Sequence, residues 1–108
     1  MTYHVRRHDA VETDILEIAS WIGRDSRGTA FRFPEAVEES IADVRRVPGG
    51  GSPKQIRDRR LKGLRTWAVR GFPNHLILYE IRPKRVVYVF AVVHGSRQYQ
   101  RLLRKRVE

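Results

Sequence analysis

The strongest constraint on the fold is an apolar run near the end of the chain. Residues 86–93, within "RVVYVFAVVH", are apolar without interruption. Alternate side chains of a strand point to opposite faces of a sheet. The pattern therefore predicts one face with Val86, Tyr88, Phe90 and Val92, and a second face with Val87, Val89, Ala91 and Val93. A strand that is apolar on both faces has to lie inside a sheet and be covered on both sides.

The first half of the chain has the periodicity of helices. "TYHVRR" predicts a short, half-buried strand, and apolar residues then recur at helical spacing over residues 11–22 and 30–44, which predicts an antiparallel helical hairpin. We expect Asp9 to cap the first helix, with Glu12 completing a capping box. Pro34 indicates either that the second helix begins near Phe33 or that the helix is kinked there.

The second half has the periodicity of strands. "PGGGSP" predicts a flexible connection, and the basic segment 54–63 predicts either a mobile loop or the lead-in to a strand. Strands are expected at residues 64–70, 75–82 and 85–94. Ser96 is expected to cap a final helix with an apolar stripe. That stripe contains Tyr99, Leu102, Leu103 and Val107, with arginines on the exposed side.

These elements predict an α+β fold with the order β-α-α-β-β-β-α. A helical hairpin packs on a small, mainly antiparallel sheet, and residues 1–108 form a single domain. The absence of cysteine excludes disulfides and thiolate metal sites. His4, His8 and His75 lack metal-ligand spacing, so we expect no metal and no cofactor. Without a signal-peptide pattern or a membrane-length apolar run, a cytoplasmic protein with no membrane partner is expected.

Charge is distributed unevenly along the chain. Residues 1–47 hold seven Arg and nine Asp or Glu, whereas residues 48–108 hold fifteen Lys or Arg and three acidic residues. Such a bias predicts an acidic partner, either nucleic acid or an acidic protein segment. Eighteen of the twenty-two cations are arginine, whose planar fork suits phosphate and carboxylate.

Several motifs in this order resemble the ParE/RelE superfamily, the toxins of type II toxin–antitoxin (plasmid stabilisation) modules. The matching pieces are Asp14-Ile15 with "EIA", then "GTAFRF", "VPGGG", "GLRTWAVRGFPNHLILYEI" and "VVYVFAVVHGSRQ". Together they cover nearly the whole chain, and the closing His-Gly-x-Arg favours the ParE-like branch.

The resemblance implies a small basic toxin that is neutralised by a cognate antitoxin. Operator DNA would be bound only through that antitoxin, which wraps the toxin with an extended or helical segment. ParE-like toxins poison DNA gyrase, whereas RelE-like toxins cleave mRNA on the ribosome without a metal. A module that retains only antitoxin binding, without toxicity, is the third alternative.

The RelE-like alternative implies specific catalytic residues. Arg70 and Arg97 would stabilise the charge on the phosphorane, and His94 would act as base or acid. The catalytic tyrosine of that branch falls at Leu103. From the residues alone, His94 could instead cap the helix or bond a backbone group, and Tyr79 is expected to pack in the core.

Seven further cations of the second half are expected to bind antitoxin or nucleic acid. These are Arg57, Arg59, Arg60, Lys62, Arg65, Arg101 and Arg104. Because Arg65 and Arg70 are an odd number of residues apart, a regular strand would point them to opposite faces, so both could line one site only if a bulge intervened.

Overall fold

The computed structural model describes residues 2–107 as an α+β fold with three α-helices and five strands. Their bounds are β1 His4–Arg7, α1 Val11–Gly23, α2 Arg27–Arg46, β2 Ser52–Pro53, β3 Arg65–Val69, β4 Phe72–Arg82, β5 Val86–His94 and α3 Gln100–Arg106. Within residues 2–107, every helix is too short or too polar to span a membrane.

The sheet has the strand order β1-β5-β4-β3-β2, with β1 parallel to β5 and the other pairs antiparallel. The strand β5 therefore lies between two neighbours, as its apolar pattern predicts. One face of the sheet packs on the α1–α2 hairpin, through residues such as Val37 and Val89. The other face packs on α3 and on the segment before β3, through residues such as Leu61 and Leu103. The predicted cover on both sides is confirmed.

A β-bulge in β5 changes which side chains share a face. Tyr79 pairs with Val89 and Leu78 pairs with Ala91, so Phe90 is the extra residue. Beyond it the alternation shifts by one, and Val92 joins Val89 on the helical-hairpin side. The predicted assignment of Ala91 to the face of Val89 is therefore wrong, because that assignment assumed a regular strand.

The connection between α2 and β3 is ordered, and its prediction as a flexible segment is wrong. It contains a 3-10 turn at Pro48–Gly50 and the short strand β2, which gives the sheet a fifth strand. The buried Tyr79 hydroxyl donates to the Pro48 carbonyl at 2.5 Å and accepts the Gly51 N–H at 3.1 Å. A Cβ at Gly51 would lie 2.1 Å from that hydroxyl, so glycine is required there. Tyr79 lies in the core, as predicted.

The starts of α1 and α2 differ from the predictions. Ala10 occupies the N-cap of α1 with no side-chain cap, and His8 Nδ1 accepts the Ala10 N–H at 3.0 Å, so the capping box of Asp9 and Glu12 is wrong. For α2, the Ser26 hydroxyl caps the helix through the Thr29 N–H. The helix then continues through Pro34, so a start near Phe33 is also wrong.

The final helix begins at Gln100, and Ser96 does not cap it. Its Arg106 was assigned to no site by the sequence, yet this side chain is 10% exposed and pairs with Asp14 of α1, which is 11% exposed. The two guanidinium nitrogens contact the Asp14 carboxylate at 2.5 and 2.7 Å. Residues on α1 and α3, on opposite faces of the sheet, are thereby joined.

This ion pair also completes the hydrogen bonding of β5. The neighbouring strand β1 ends opposite Val89. Just beyond that point, the Phe90 carbonyl accepts a bond from Arg106 at 3.0 Å, and the Val92 N–H donates to Asp14 at 3.0 Å. Side chains thus bind backbone groups of β5 where β1 no longer reaches, because buried backbone groups need partners.

Removal of the Tyr79 hydroxyl tests the ordered connection. Tyr79→Phe should lower the free energy of unfolding by about 1–3 kcal/mol, because a buried carbonyl and a buried N–H both lose their partner. Urea unfolding followed by circular dichroism measures the change. Tyr88→Phe is the control, since the Tyr88 hydroxyl makes no hydrogen bond within residues 2–107. Equal losses in the two variants would contradict the role of Tyr79.

Disruption of the Asp14–Arg106 pair tests its structural role. Asp14→Ala should cost about 3–5 kcal/mol in urea unfolding, because a buried cation remains without its partner. Glu17→Ala, an exposed position on the same helix, should stay within about 0.5 kcal/mol of the parent.

The double variant Asp14→Leu/Arg106→Met separates pairing from packing. It should be more stable than Asp14→Ala, because no unpaired buried charge is left. If the double variant lost as much stability as Asp14→Leu and Arg106→Met lose together as single variants, the coupling of Asp14 to Arg106 would be refuted.

Candidate functional site

The turn after β5 holds two of the predicted site residues in a defined conformation. The Arg97 N–H donates to the His94 carbonyl at 3.0 Å, and the Gly95 N–H donates to the Asn74 carbonyl at 2.7 Å. His94 Nδ1 accepts the Ser96 N–H at 3.1 Å and lies 2.7 Å from the Ser96 hydroxyl. His94 thus bonds a backbone group and does not cap α3. Because Nδ1 is an acceptor, the neutral ring carries its proton on Nε2.

A pocket of about 260 Å³ lies beside this turn, between α1 and the end of β5. We call it the β5 pocket. Ile18, Val92 and Trp21 provide apolar surface, while Glu17, His94 and Arg97 provide polar groups. The Arg97 side chain is exposed and makes no hydrogen bond or ion pair within residues 2–107. Trp21 is 65% exposed, and the Arg24 guanidinium lies 4.6 Å from its ring centroid.

His75 forms the inner wall of the β5 pocket next to His94. The two residues are directly paired across β4 and β5, and their ring centroids are 5.1 Å apart. Edge contacts to Phe33 and Phe72 complete an aromatic cluster. Burial, and then the proximity of His94, lower the pKa of His75 below its usual value. Its buried Nδ1 has no hydrogen-bond partner within residues 2–107.

Arg70 does not line the β5 pocket. Its guanidinium binds Asp43 at 2.6 Å and Glu39 at 3.4 Å, and its N–H donates to the Ser40 hydroxyl at 2.8 Å. The Arg70 and Arg46 guanidiniums hold the pKa of Asp43 below its usual range, Arg70 having the larger effect. All three partners of Arg70 lie on α2, so this arginine connects the end of β3 to the helical hairpin.

Arg65 also has structural partners. Its guanidinium donates to the Gly49 carbonyl at 3.1 Å and to the Gly51 carbonyl at 2.9 Å, which fixes the connection before β2. A bulge between Ala68 and Val69 does interrupt β3, as joint use of Arg65 and Arg70 would require. The two arginines nevertheless bind different parts of the chain.

Two of the remaining predicted cations meet at a second, larger depression of about 760 Å³. We call it the basic cleft; Arg57 and Arg104 line it together with Gln55, Gln100 and Asp58. Arg60 binds the Asp58 carboxylate through its side chain and its N–H, and these bonds lower the pKa of Asp58 to about 2, with a smaller effect from Arg104. The cleft therefore lies between the segment before β3 and helix α3.

The other predicted residues lie outside both depressions. Arg59, Lys62 and Arg101 are exposed, and none lines the β5 pocket or the basic cleft. Leu103, at the position of the RelE-like tyrosine, is fully buried. Tyr99 packs against the same apolar cluster. Residues 2–107 contain no group of three or more His, Asp or Glu side chains suited to hold a metal ion.

Sequence reasoning missed the contribution of α1 to the β5 pocket. Glu17, Ile18 and Trp21 lie in the segment 11–22, for which the sequence predicted a helix but no site residue. The signal that could have marked this surface is Trp21, a large aromatic residue near the end of an amphipathic helix, which the structure leaves 65% exposed.

The lowered pKa of His75 predicts a pH-dependent stability. Because the folded protein disfavours the imidazolium form, the contribution of His75 is fully present above about pH 6.5 and declines as the pH falls through that value. Urea unfolding between pH 7.5 and 5.5 should show this loss in the parent protein, and His75→Phe should reduce it. His4→Gln, at an exposed position, should leave the loss unchanged. An identical pH dependence in the parent and His75→Phe would contradict this account.

Comparison with known proteins identifies the family. A model described as the ParE toxin of the type II toxin-antitoxin system parDE matches residues 5–99. No curated protein sequence matches the chain. The fold is similar to that of the chromosomal ParDE system from P. aeruginosa, with a TM-score of 0.66 and 10% identity over 85% of this chain and 95% of that one. It is also similar to the toxin-antitoxin complex RelBE2 from Mycobacterium tuberculosis, with a TM-score of 0.59 and 21% identity over 87% and 99%. The family model covers most of the sequence, and this chain therefore belongs to the ParE toxin family of type II toxin–antitoxin systems.

Proposed function

We propose that this ParE-family toxin inhibits bacterial growth through DNA gyrase and that a cognate antitoxin neutralises it. The observation that carries the proposal is the match of the ParE family model over residues 5–99. The two similar structures are, by their descriptions, a toxin–antitoxin system and a toxin–antitoxin complex, which supports an antitoxin as partner. A cytoplasmic location follows from this proposal, because gyrase acts on the chromosome.

The arrangement of the candidate catalytic residues favours binding over RNA cleavage. Arg70 is bound by two carboxylates of α2, so its charge is already compensated. Leu103 supplies no proton donor and is buried. Because His94 Nδ1 accepts the Ser96 N–H, the proton of the neutral form lies on Nε2, which disfavours the base role of His94 but not a role as donor.

A ribosome-dependent, metal-independent endoribonuclease is the second candidate. The basic cleft supports it, because Arg57 and Arg104 face a volume of about 760 Å³ beside two glutamine amides. Guanidinium groups bind phosphate, and amides bind base edges. His94 and Arg97 line the β5 pocket and not the basic cleft, so in this candidate they would act apart from the cations that bind phosphate. A domain without toxicity that retains only antitoxin binding is the third candidate.

We infer that the antitoxin presents an acidic segment to the second half of the chain. The described carboxylates of that half, Asp58 and Glu80, already bind Arg60 and Arg82. Five of the seven cations predicted to bind antitoxin or nucleic acid are exposed, make no hydrogen bond or ion pair within residues 2–107, and remain available to a partner: Arg57, Arg59, Lys62, Arg101 and Arg104. Operator DNA would be contacted through the antitoxin, since binding of an acidic segment consumes this positive surface.

Controlled expression in a bacterial host tests the target. Growth should stop, a DNA-damage reporter should be induced, and covalent gyrase–DNA complexes should accumulate. The purified chain should inhibit supercoiling by purified gyrase in the absence of ribosomes. Mapping of RNA 5′ ends in the same cells distinguishes the second candidate, which would give codon-phased cuts in mRNA and no gyrase complexes.

Two variants sharpen this experiment. His94→Gln/Arg97→Gln removes the groups that RNA cleavage would need, and growth arrest that persists in this variant would exclude them as catalytic residues. Arg27→Gln, an exposed position on α2, is the matched control for loss of charge. Normal growth during expression of the folded parent chain would refute the proposal and leave the domain without toxicity.

A further inference from the structure

We propose that the β5 pocket binds a short peptide segment that carries an apolar side chain of leucine or phenylalanine size with a carboxylate beside it. The apolar side chain enters between Ile18, Trp21 and Val92, and His94 and Arg97 bind the carboxylate at the rim. That the segment belongs to an antitoxin rests on the proposed function. The recognition chemistry rests on the pocket alone.

The apolar part of the pocket matches one side chain. Its volume of about 260 Å³ lies below the range of about 300–1,000 Å³ that is usual for drug-sized ligands. The Val92 side chain is almost fully buried, whereas the ring of Trp21 is largely exposed at the mouth. Tryptophan is enriched at protein interfaces and among the residues that contribute most to binding. Trp21 at the mouth of the pocket can therefore cover a bound side chain and shield it from water.

The rim supplies two hydrogen-bond donors that fit one carboxylate. The bonds from Ser96 to His94 Nδ1 leave Nε2–H as the outward donor of the neutral ring. Arg97 follows three residues later, and its backbone N–H donates to the His94 carbonyl, so the two side chains start from one hydrogen-bonded turn. Its guanidinium is not used by any other described residue. Guanidinium and carboxylate form strong, charge-assisted hydrogen bonds.

The acidic side of the pocket favours a peptide over a nucleic acid. Glu17 is exposed on the same rim, and Asp14 lies behind it. The Asp14 charge is compensated by Arg106, but the Glu17 carboxylate makes no ion pair or hydrogen bond within residues 2–107. Glu17 would repel a chain of several phosphates more than a single carboxylate, and a peptide also offers backbone N–H groups that Glu17 accepts. The basic cleft, with Arg57 and Arg104, is the better surface for phosphates.

Titration of the ¹⁵N-labelled full chain with N-acetyl-phenylalanine tests the pocket directly. The indole N–H of Trp21 and the backbone N–H groups of residues 92–97 should shift and saturate at millimolar ligand. N-acetyl-phenylalanine amide, which has the same ring without the charge, should bind roughly tenfold more weakly, because a charge-assisted bond is lost. Adenosine monophosphate should leave these resonances unchanged.

Variants assign the two halves of the site. Arg97→Gln should reduce the affinity for the acid to that for the amide, whereas Trp21→Ala should weaken acid and amide alike. Arg27→Gln, on the other helix of the hairpin, is the matched control and should bind like the parent. All three substituted positions are exposed, and the dispersion of each spectrum verifies that the variant is folded.

Three results would overturn the inference. These are equal affinity for acid and amide, equal effects of Arg97→Gln and Arg27→Gln, and preferential binding of adenosine monophosphate at residues 92–97. None of them involves gyrase, so the inference can fail while growth inhibition stands. Conversely, saturable binding that depends on Arg97 would remain valid if the gyrase experiment failed.

Discussion

The pairing of Asp14 with Arg106 is the interaction on which the arrangement of the layers depends. The strand β1 is only four residues long, so beyond Val89 it no longer supplies hydrogen bonds to β5. Asp14 and Arg106 bind backbone groups of β5 there, and in doing so they join α1 to α3 around the edge of the sheet. A buried ion pair contributes little net stability compared with an apolar pair. It has value here because apolar side chains could not satisfy a free carbonyl and a free N–H.

Sequence periodicity predicted the elements of this fold well where local pattern and tertiary packing agree. The apolar run of β5 predicted a strand covered on both sides, and the helical hairpin followed from two amphipathic segments. The bulge at Phe90 could not be predicted, because a strand that is apolar on both faces has no alternation to mark a shift of register. The strand β2 was missed because two residues carry no periodicity, and Tyr79 orders this connection from a distant strand.

The sequence predicted the types of residue at the candidate site much better than it predicted their arrangement in space. His94 and Arg97 stand out because they follow a buried strand in a turn, and the structure does place them at one pocket. Arg70 looked equivalent in sequence, but α2 places Asp43 and Glu39 against it. Trp21 and Glu17 reach the same pocket from about seventy residues earlier, through the packing of α1 on β5. A periodic pattern shows which face of a helix is buried, but it does not show which element that face packs against. The place of Trp21 and Glu17 at this pocket therefore becomes visible only from the tertiary contacts.

The two depressions differ in chemistry, yet their geometry is linked. The β5 pocket lies on the helical-hairpin side of the sheet, and the basic cleft lies on the side of α3. Asp14 lines the first, and its partner Arg106 belongs to the same short helix as Arg104, which lines the second. Because α3 has only seven residues, its position depends on Leu103 in the core and on this ion pair. The β5 pocket and the basic cleft are therefore built on the same buried ion pair, one partner of which lines the first while the other holds the helix that lines the second.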